Sequence, residues 1–191
     1  FLPIGIVGFL AKDWITTILF TPVVVALSLV LGGVTMLLVE RRVRNRALPE
    51  FNEISVETLY SIHARQALFI GVAQVVALVP GVSRSAASIL GGLLAGLDRG
   101  AATQFSFLLA IPTIGSATLL ELVSNLPTIQ SGDVGFLFLG AAVSALVSWV
   151  SIRWLLRYVA HHTFVPFGYY RIAAGLAILL LVALGWLRSP I

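Results

Sequence analysis

QVVALVPGVSRSAASILGGLLAGLDRGAATQFSFLLAIP, residues 74–112, decides how the rest of the chain is read. An apolar run is interrupted by Pro80-Gly81, and a polar cluster follows at once: Ser83, Arg84, Ser85 and then Ser88. Between Arg65 and Asp98, Arg84 is the only fixed charge. A lone arginine at membrane depth costs about 2.5–3.5 kcal/mol on insertion scales, and such residues usually mark a site. Pro80 and Gly81 end one helix and permit a tight turn. Ser83 or Ser85 can cap the helix that starts there, and a helix N-terminus offers unpaired N–H groups and a partial positive charge. With Gly81, the hydroxyls and the arginine together, the stretch reads as a phosphate site built inside a membrane protein. The plainer reading of the same residues is a loop with an ordinary serine cap and an arginine snorkelling to the headgroups.

The surrounding composition supports the membrane. Of 191 residues, 59% are hydrophobic and only 10% charged, and the mean hydropathy is +1.02. Soluble domains run near 25% charged. These values exclude a soluble core and predict a polytopic all-α protein with one membrane domain over residues 1–191. There is no cysteine, hence no disulfide and no thiolate chemistry. The net charge of +4 is modest, and no basic surface interleaved with aromatics suggests nucleic acid. The opening Phe1-Leu2-Pro3 carries no charged n-region, so it does not read as a signal peptide. It reads as the later part of a longer protein.

Hydrophobic runs place the spans. Residues 1–10 read as the tail of a span, and Lys12, Asp13 and Trp14 as an interface. Residues 21–39 suffice to cross, and Gly32-Gly33 within them allow close helix packing. Glu40 to Arg46 is a basic cluster with four arginines, followed by a polar loop to Glu57. Residues 56–79 are apolar apart from His63, Arg65, Gln66 and Gln74, whereas 85–97 are too few for a full crossing. Asp98-Arg99 reads as a hydrophilic link, 105–123 as a span containing Pro112, 134–159 as a long span and 169–186 as the last. If residues 56–97 form a re-entrant hairpin tipped by 80–85, then Arg41 to Arg46, Arg99 and the 153–162 cluster all fall on the cytoplasmic side. Residues 125–133, which hold no lysine or arginine, then fall outside. A full crossing by 56–79 would put the later basic ends outside, so the charge asymmetry favours the re-entrant form.

The wording of the stretch carries a resemblance. P-G-V-S-R-S-A-A-S, then G-G-L-L-A-G-L-D-R, then F-S-F-L-L-A-I-P closely resembles the second signature of the undecaprenyl pyrophosphate phosphatases, the bacitracin-resistance type of membrane lipid phosphatase. The family pattern is P-G-x-S-R-S-x-x-T. Ser88 stands where threonine is usual, which keeps the hydroxyl, and Gln104 stands where glutamate is usual, which removes a charge. The Thr21-Pro22-Val23 opening also has a family counterpart. The resemblance implies an inverted-repeat membrane fold, of which this chain is one half, with the N-terminal repeat missing before Phe1. It also implies a bacterial plasma-membrane enzyme that converts undecaprenyl diphosphate to the monophosphate and inorganic phosphate, recycling the cell-wall lipid carrier. A divalent cation, Mg²⁺ or Ca²⁺, is implied with it, and a homodimer is a candidate assembly.

Arg84 is the first candidate for clamping phosphate oxygens and stabilising transition-state charge. Ser83, Ser85 and Ser88 are candidate hydrogen-bond donors, with Gly81 at the turn. The resemblance assigns the active site to Ser83, Arg84 and Ser88. No activating base stands beside a serine nucleophile in this sequence. His63 falls where the family varies, and His161-His162 ends a basic helix as interfacial residues do. Asp98 and Glu121 are single carboxylates, and no metal ligands are identifiable. The family's first signature, with its glutamates and histidine, is absent; Phe1-Leu2-Pro3-Ile4 echoes only its middle. Two other function classes fit the same residues. One is a lipid-carrier or anion transporter that holds phosphate without cleaving it. The other is a non-catalytic membrane assembly subunit.

Overall fold

The computed structural model describes residues 1–43, 62–129 and 132–187. Arg44, Asn45, Arg46, Pro49 and the first residues of the 56–97 segment lie outside the described residues, as do Gln130 and Ser131. Among the described residues there are helices and turns and no strand. Among these residues four helices are long and apolar enough to cross a membrane, and a fifth crossing results if one bent pair is counted as a single span.

That pair is α1 (Leu2–Leu10) with α2 (Lys12–Trp14), which continues as a π-helical turn over Ile15–Leu19. The two parts meet at 69°. Lys12, Asp13 and Trp14 therefore lie within a bent helix, where the sequence suggests a boundary between spans. α3 (Pro22–Val43) opens on a proline, whose missing N–H is harmless in a first turn. It runs past the expected end at Val39 because Glu40 is buried rather than solvated.

A helical hairpin comes next. α4 (Ala64–Ala73) tightens into a 3₁₀ turn at Gln74–Leu78. The chain then reverses, and α5 (Arg84–Leu94) returns alongside it. One side chain ties the open end together. The Gln66 Oε1 accepts from the His63 N–H at 3.0 Å, and its Nε2 donates to the Ala95 carbonyl at 3.0 Å. α5 closes in a Schellman motif: Gly96, at φ 96°, donates to Leu93 O while Leu97 donates to Gly92 O. Its glycines admit close neighbours, since a Cβ on Gly91 would meet Ala73 at 2.8 Å and one on Gly92 would meet Ala102 at 2.8 Å.

α6 (Arg99–Asn125), α7 (Asp133–His161) and α8 (Val165–Ala183) complete the described chain. Asp98 is the N-cap of α6, accepting from the Ala101 N–H at 2.8 Å. α3 and α8 pack along their length through small residues. A Cβ on Gly33 would lie 2.7 Å from the Gly168 carbonyl, and one on Gly175 would lie 2.7 Å from that of Ala26.

One buried knot joins three helix ends. Arg99 reaches Glu40 with two hydrogen bonds, Nε at 3.2 Å and Nη2 at 2.7 Å, and the Phe164 N–H adds a third at 3.0 Å. Arg99 is 4% exposed and Glu40 2%. Asp98-Arg99 is thus a cap and a buried ion pair, not a solvated link. The pairing also puts the end of α3, the start of α6 and the α7–α8 connection at one end of the molecule. The opposite situation holds along α7, where Phe136, Phe138, Leu146, Trp149 and Trp154 are all more than half exposed, as bilayer contact requires.

Candidate anion-binding site at the hairpin tip

The hairpin turns at residues 79–82. The Val82 N–H bonds the Val79 carbonyl at 3.1 Å, with Pro80 and Gly81 between them and Gly81 at φ 89°. Pro followed by left-handed Gly is the type II pattern. Gly81 is required here for a second reason, because a Cβ would sit 2.5 Å from the Val25 carbonyl. The tip is therefore wedged against α3 around Val25 and Ser28. Those residues lie on the order of 20 Å along α3 from Glu40, at 1.5 Å per residue.

Ser83 is the N-cap of α5. Its Oγ accepts from the Ala86 N–H at 3.2 Å and lies 3.1 Å from Ser85 Oγ. The first-turn N–H groups of a helix lack intrahelical partners and form an anion-binding end. Ser83 and Ser85 also line a cavity of about 250 Å³ between the hairpin and α8, whose walls include Phe164, Phe167 and Arg171.

Arg84 and Ser88 lie toward α6 instead. Arg84 Nη1 is 3.5 Å from the Ser106 carbonyl, a long contact. Ser88 is wholly buried: its Oγ lies 2.6 Å from Ser106 Oγ and donates to the Arg84 carbonyl at 3.0 Å. Gly81, Ser83, Arg84 and Ser85 are thus gathered at one tip, while Ser88 lies one turn below it, between α5 and α6.

The other candidates are elsewhere. Glu121 accepts from the Asn125 amide at 3.0 Å, and Asp98 is occupied as a cap. His162 stacks on Tyr158 at 4.5 Å between ring centroids. No group of three or more His, Cys, Asp or Glu that could hold a metal occurs among the described residues. Among the described residues, then, no cluster of protein ligands is assembled for a divalent cation.

Two residues passed over in the sequence belong to this picture. Arg171, 9% exposed, donates from Nη2 to the Gly81 carbonyl at 2.9 Å. The lone-charge rule that singles out Arg84 would have found it, since it is an arginine inside the last apolar run. Ser106 stands in the F-S-F run that carries the resemblance, but nothing there marks it as a site residue, because a serine in a span is common and its partner comes from another helix.

A polytopic α-helical membrane protein with a polar helix N-terminus folded back among its spans is the class that this fold and site define. The chain belongs to the BacA family, described as bacitracin resistance protein BacA, which matches residues 1–177. It is 44% identical over 186 residues to an undecaprenyl-diphosphatase of Verminephrobacter eiseniae, covering 97% of this chain and 65% of the relative. It is 46% identical over 187 residues to undecaprenyl-diphosphatase 1 of Burkholderia lata, covering 98% and 66%. An undecaprenyl-diphosphatase of Neisseria meningitidis is 42% identical over 187 residues, again covering 98% and 66%. The chain therefore spans about two thirds of the length of the curated relatives it matches.

Proposed function

We propose that the complete protein hydrolyses undecaprenyl diphosphate to undecaprenyl phosphate and inorganic phosphate in the bacterial inner membrane. The relatives' shared name supports this reading. The observation that carries it is the capped N-terminus of α5, with Arg84 and the Ser83–Ser85 hydroxyl pair beside its free N–H groups. In this reading Arg84 clamps phosphate oxygens, and Ser83 and Ser85 donate to them. Ser88 contributes by bonding Ser106 and the first turn of α5. The hairpin is re-entrant, and the chain is one half of an inverted repeat. The apolar tail lies between helices, and the acid–base groups come from outside the described residues. Any divalent cation takes its ligands from phosphate oxygens and from outside the described residues as well. Homodimerisation is compatible with this arrangement.

The test is phosphate release from labelled lipid in detergent by the complete protein, by residues 1–191 alone, and by residues 1–191 with a co-expressed N-terminal fragment. Hydrolysis by the first and third, with none appreciable by the second, is expected. Robust hydrolysis by residues 1–191 alone would relocate the catalytic groups to Asp98, Glu121 or His63. Lipid bound but not cleaved by the complete protein would favour transport. Single cysteines test the re-entrant placement. His63→Cys and His162→Cys should label from the cytoplasmic face, and Thr128→Cys from the other. Labelling of the first two from opposite faces would exclude it.

A further inference from the structure

The cavity between the hairpin tip and α8 holds a cation that the Arg84 clamp does not use. Arg171 enters the cavity from α8, and a notch at Gly32 makes room for it: a Cβ on Gly32 would lie 2.6 Å from Nη2. One of its five N–H donors is spent on the Gly81 carbonyl, and its Nε is buried with no partner. No carboxylate pairs with it among the described residues, in contrast to Arg99, whose charge Glu40 meets with two bonds. A nearly buried guanidinium without a counter-ion is costly, and an anion in the cavity would offset that cost. Two hydroxyls that line the cavity at the first turn of α5, Ser83 Oγ and Ser85 Oγ, can donate to an anion there.

We propose that this cavity is a phosphate site in its own right, with Arg171 as its fixed cation, on the other side of the α5 N-terminus from Arg84. The two arginines then bracket one helix end and take different phosphate groups, as a diphosphate provides; that assignment rests on the hydrolase reading. Phosphate binding through Arg171 does not. The ligand is either the second phosphate of the lipid or free inorganic phosphate after cleavage. The Gly81 bond gives Arg171 a positioning task too, because a guanidinium can hold the turn and the anion at once whereas lysine is a point charge.

The experiment titrates inorganic phosphate into the complete protein in detergent, reading binding by ³¹P line broadening and folding by the thermal midpoint. Arg171→Gln should weaken phosphate binding roughly ten- to a hundredfold, the loss expected when a charged donor is removed. Gly32→Ala keeps the charge but pushes the guanidinium out of its notch, and it should weaken binding several-fold. That variant carries the test if Arg171→Gln does not fold, because only the end of a flexible side chain has to move. Unchanged affinity in the folded variants, or no phosphate binding by the unsubstituted protein, would overturn the proposal. Competition separates the two sources: displacement by polyprenyl diphosphate assigns the site to the lipid, and phosphate held alongside the lipid assigns it to the product. A complete protein that binds phosphate through Arg171 but releases none from the lipid would sink the hydrolase reading alone and leave this site standing.

Discussion

The protein treats its buried and half-buried arginines in two ways. At the end where α3, α6 and α8 meet, Arg99 is matched atom for atom by Glu40, and the Phe164 N–H shares the same carboxylate. At the hairpin tip, the hydrogen-bond partners of Arg84 and Arg171 among the described residues are backbone carbonyls, of Ser106 at a long 3.5 Å and of Gly81 at 2.9 Å. The first arrangement is complete as it stands and holds helix ends together. The second leaves positive charge open to something from outside. On the reading proposed above, the same residue type is structural where a carboxylate is buried with it and a binding group where none is.

The largest effect should come from breaking the complete arrangement. Glu40→Ala leaves Arg99 buried without a partner and frees the Phe164 N–H. Truncating one member of a buried pair costs about 3–5 kcal/mol. The thermal midpoint of the complete protein in detergent should fall sharply or the fold be lost. Replacing both members, Glu40→Met with Arg99→Leu, should recover most of that loss, since a well-packed apolar pair of similar volume is often no worse. A double variant as unstable as Glu40→Ala would mean that the carboxylate does more than neutralise Arg99.

The tip should respond with the opposite sign. Arg84→Leu removes a charge with no carboxylate partner among the described residues, so stability should hold or rise by about 1 kcal/mol given its partial exposure, read from the thermal midpoint. Hydrolysis by the complete protein should fall roughly a hundredfold or more, the usual loss for a group stabilising transition-state charge. Arg84→Lys should also lose most activity, because lysine cannot hold two oxygens in a fixed fork. Near-normal turnover by the lysine variant would count against a bidentate clamp. A large loss of stability in Arg84→Leu would make the tip as structural as the Glu40 knot and erase the contrast.

The contrast also explains what could be read from the sequence. Spans are legible because crossing a bilayer needs about 20 apolar residues, and the α3, α7 and α8 runs supply them. The tip is legible because its turn, cap and lone arginine fall within nine residues, Pro80 to Ser88. Pairings across the chain are not legible in this way. Glu40 and Arg99 are 59 residues apart, and each sits beside other charged residues that look solvated. The bend after α1 falls at Ala11-Lys12, where no proline or glycine marks it. Arg171 lies between these cases: its isolation in an apolar run was visible, but its contact with Gly81 spans 90 residues.

The smallest effect concerns Ser88, where the two regions meet in one question: is this hydroxyl for the ligand or for the fold? Its 2.6 Å contact with Ser106 and its complete burial favour the fold. Ser88→Ala then leaves Ser106 Oγ short of a partner and should cost about 1 kcal/mol of stability. Ser106→Ala should cost a similar amount, and the double variant should cost clearly less than the sum, because both substitutions remove the same bond. Activity should fall modestly and equally in the two single variants, through a loosened first turn of α5. A direct bond from Ser88 to phosphate predicts another pattern: Ser88→Ala would lose roughly ten- to a hundredfold in rate, Ser106→Ala far less, and Ser88→Thr almost nothing. Unequal losses of that kind would show that Ser88 turns toward the ligand in the complete protein, and would move it from the fold's side of the comparison to the site's.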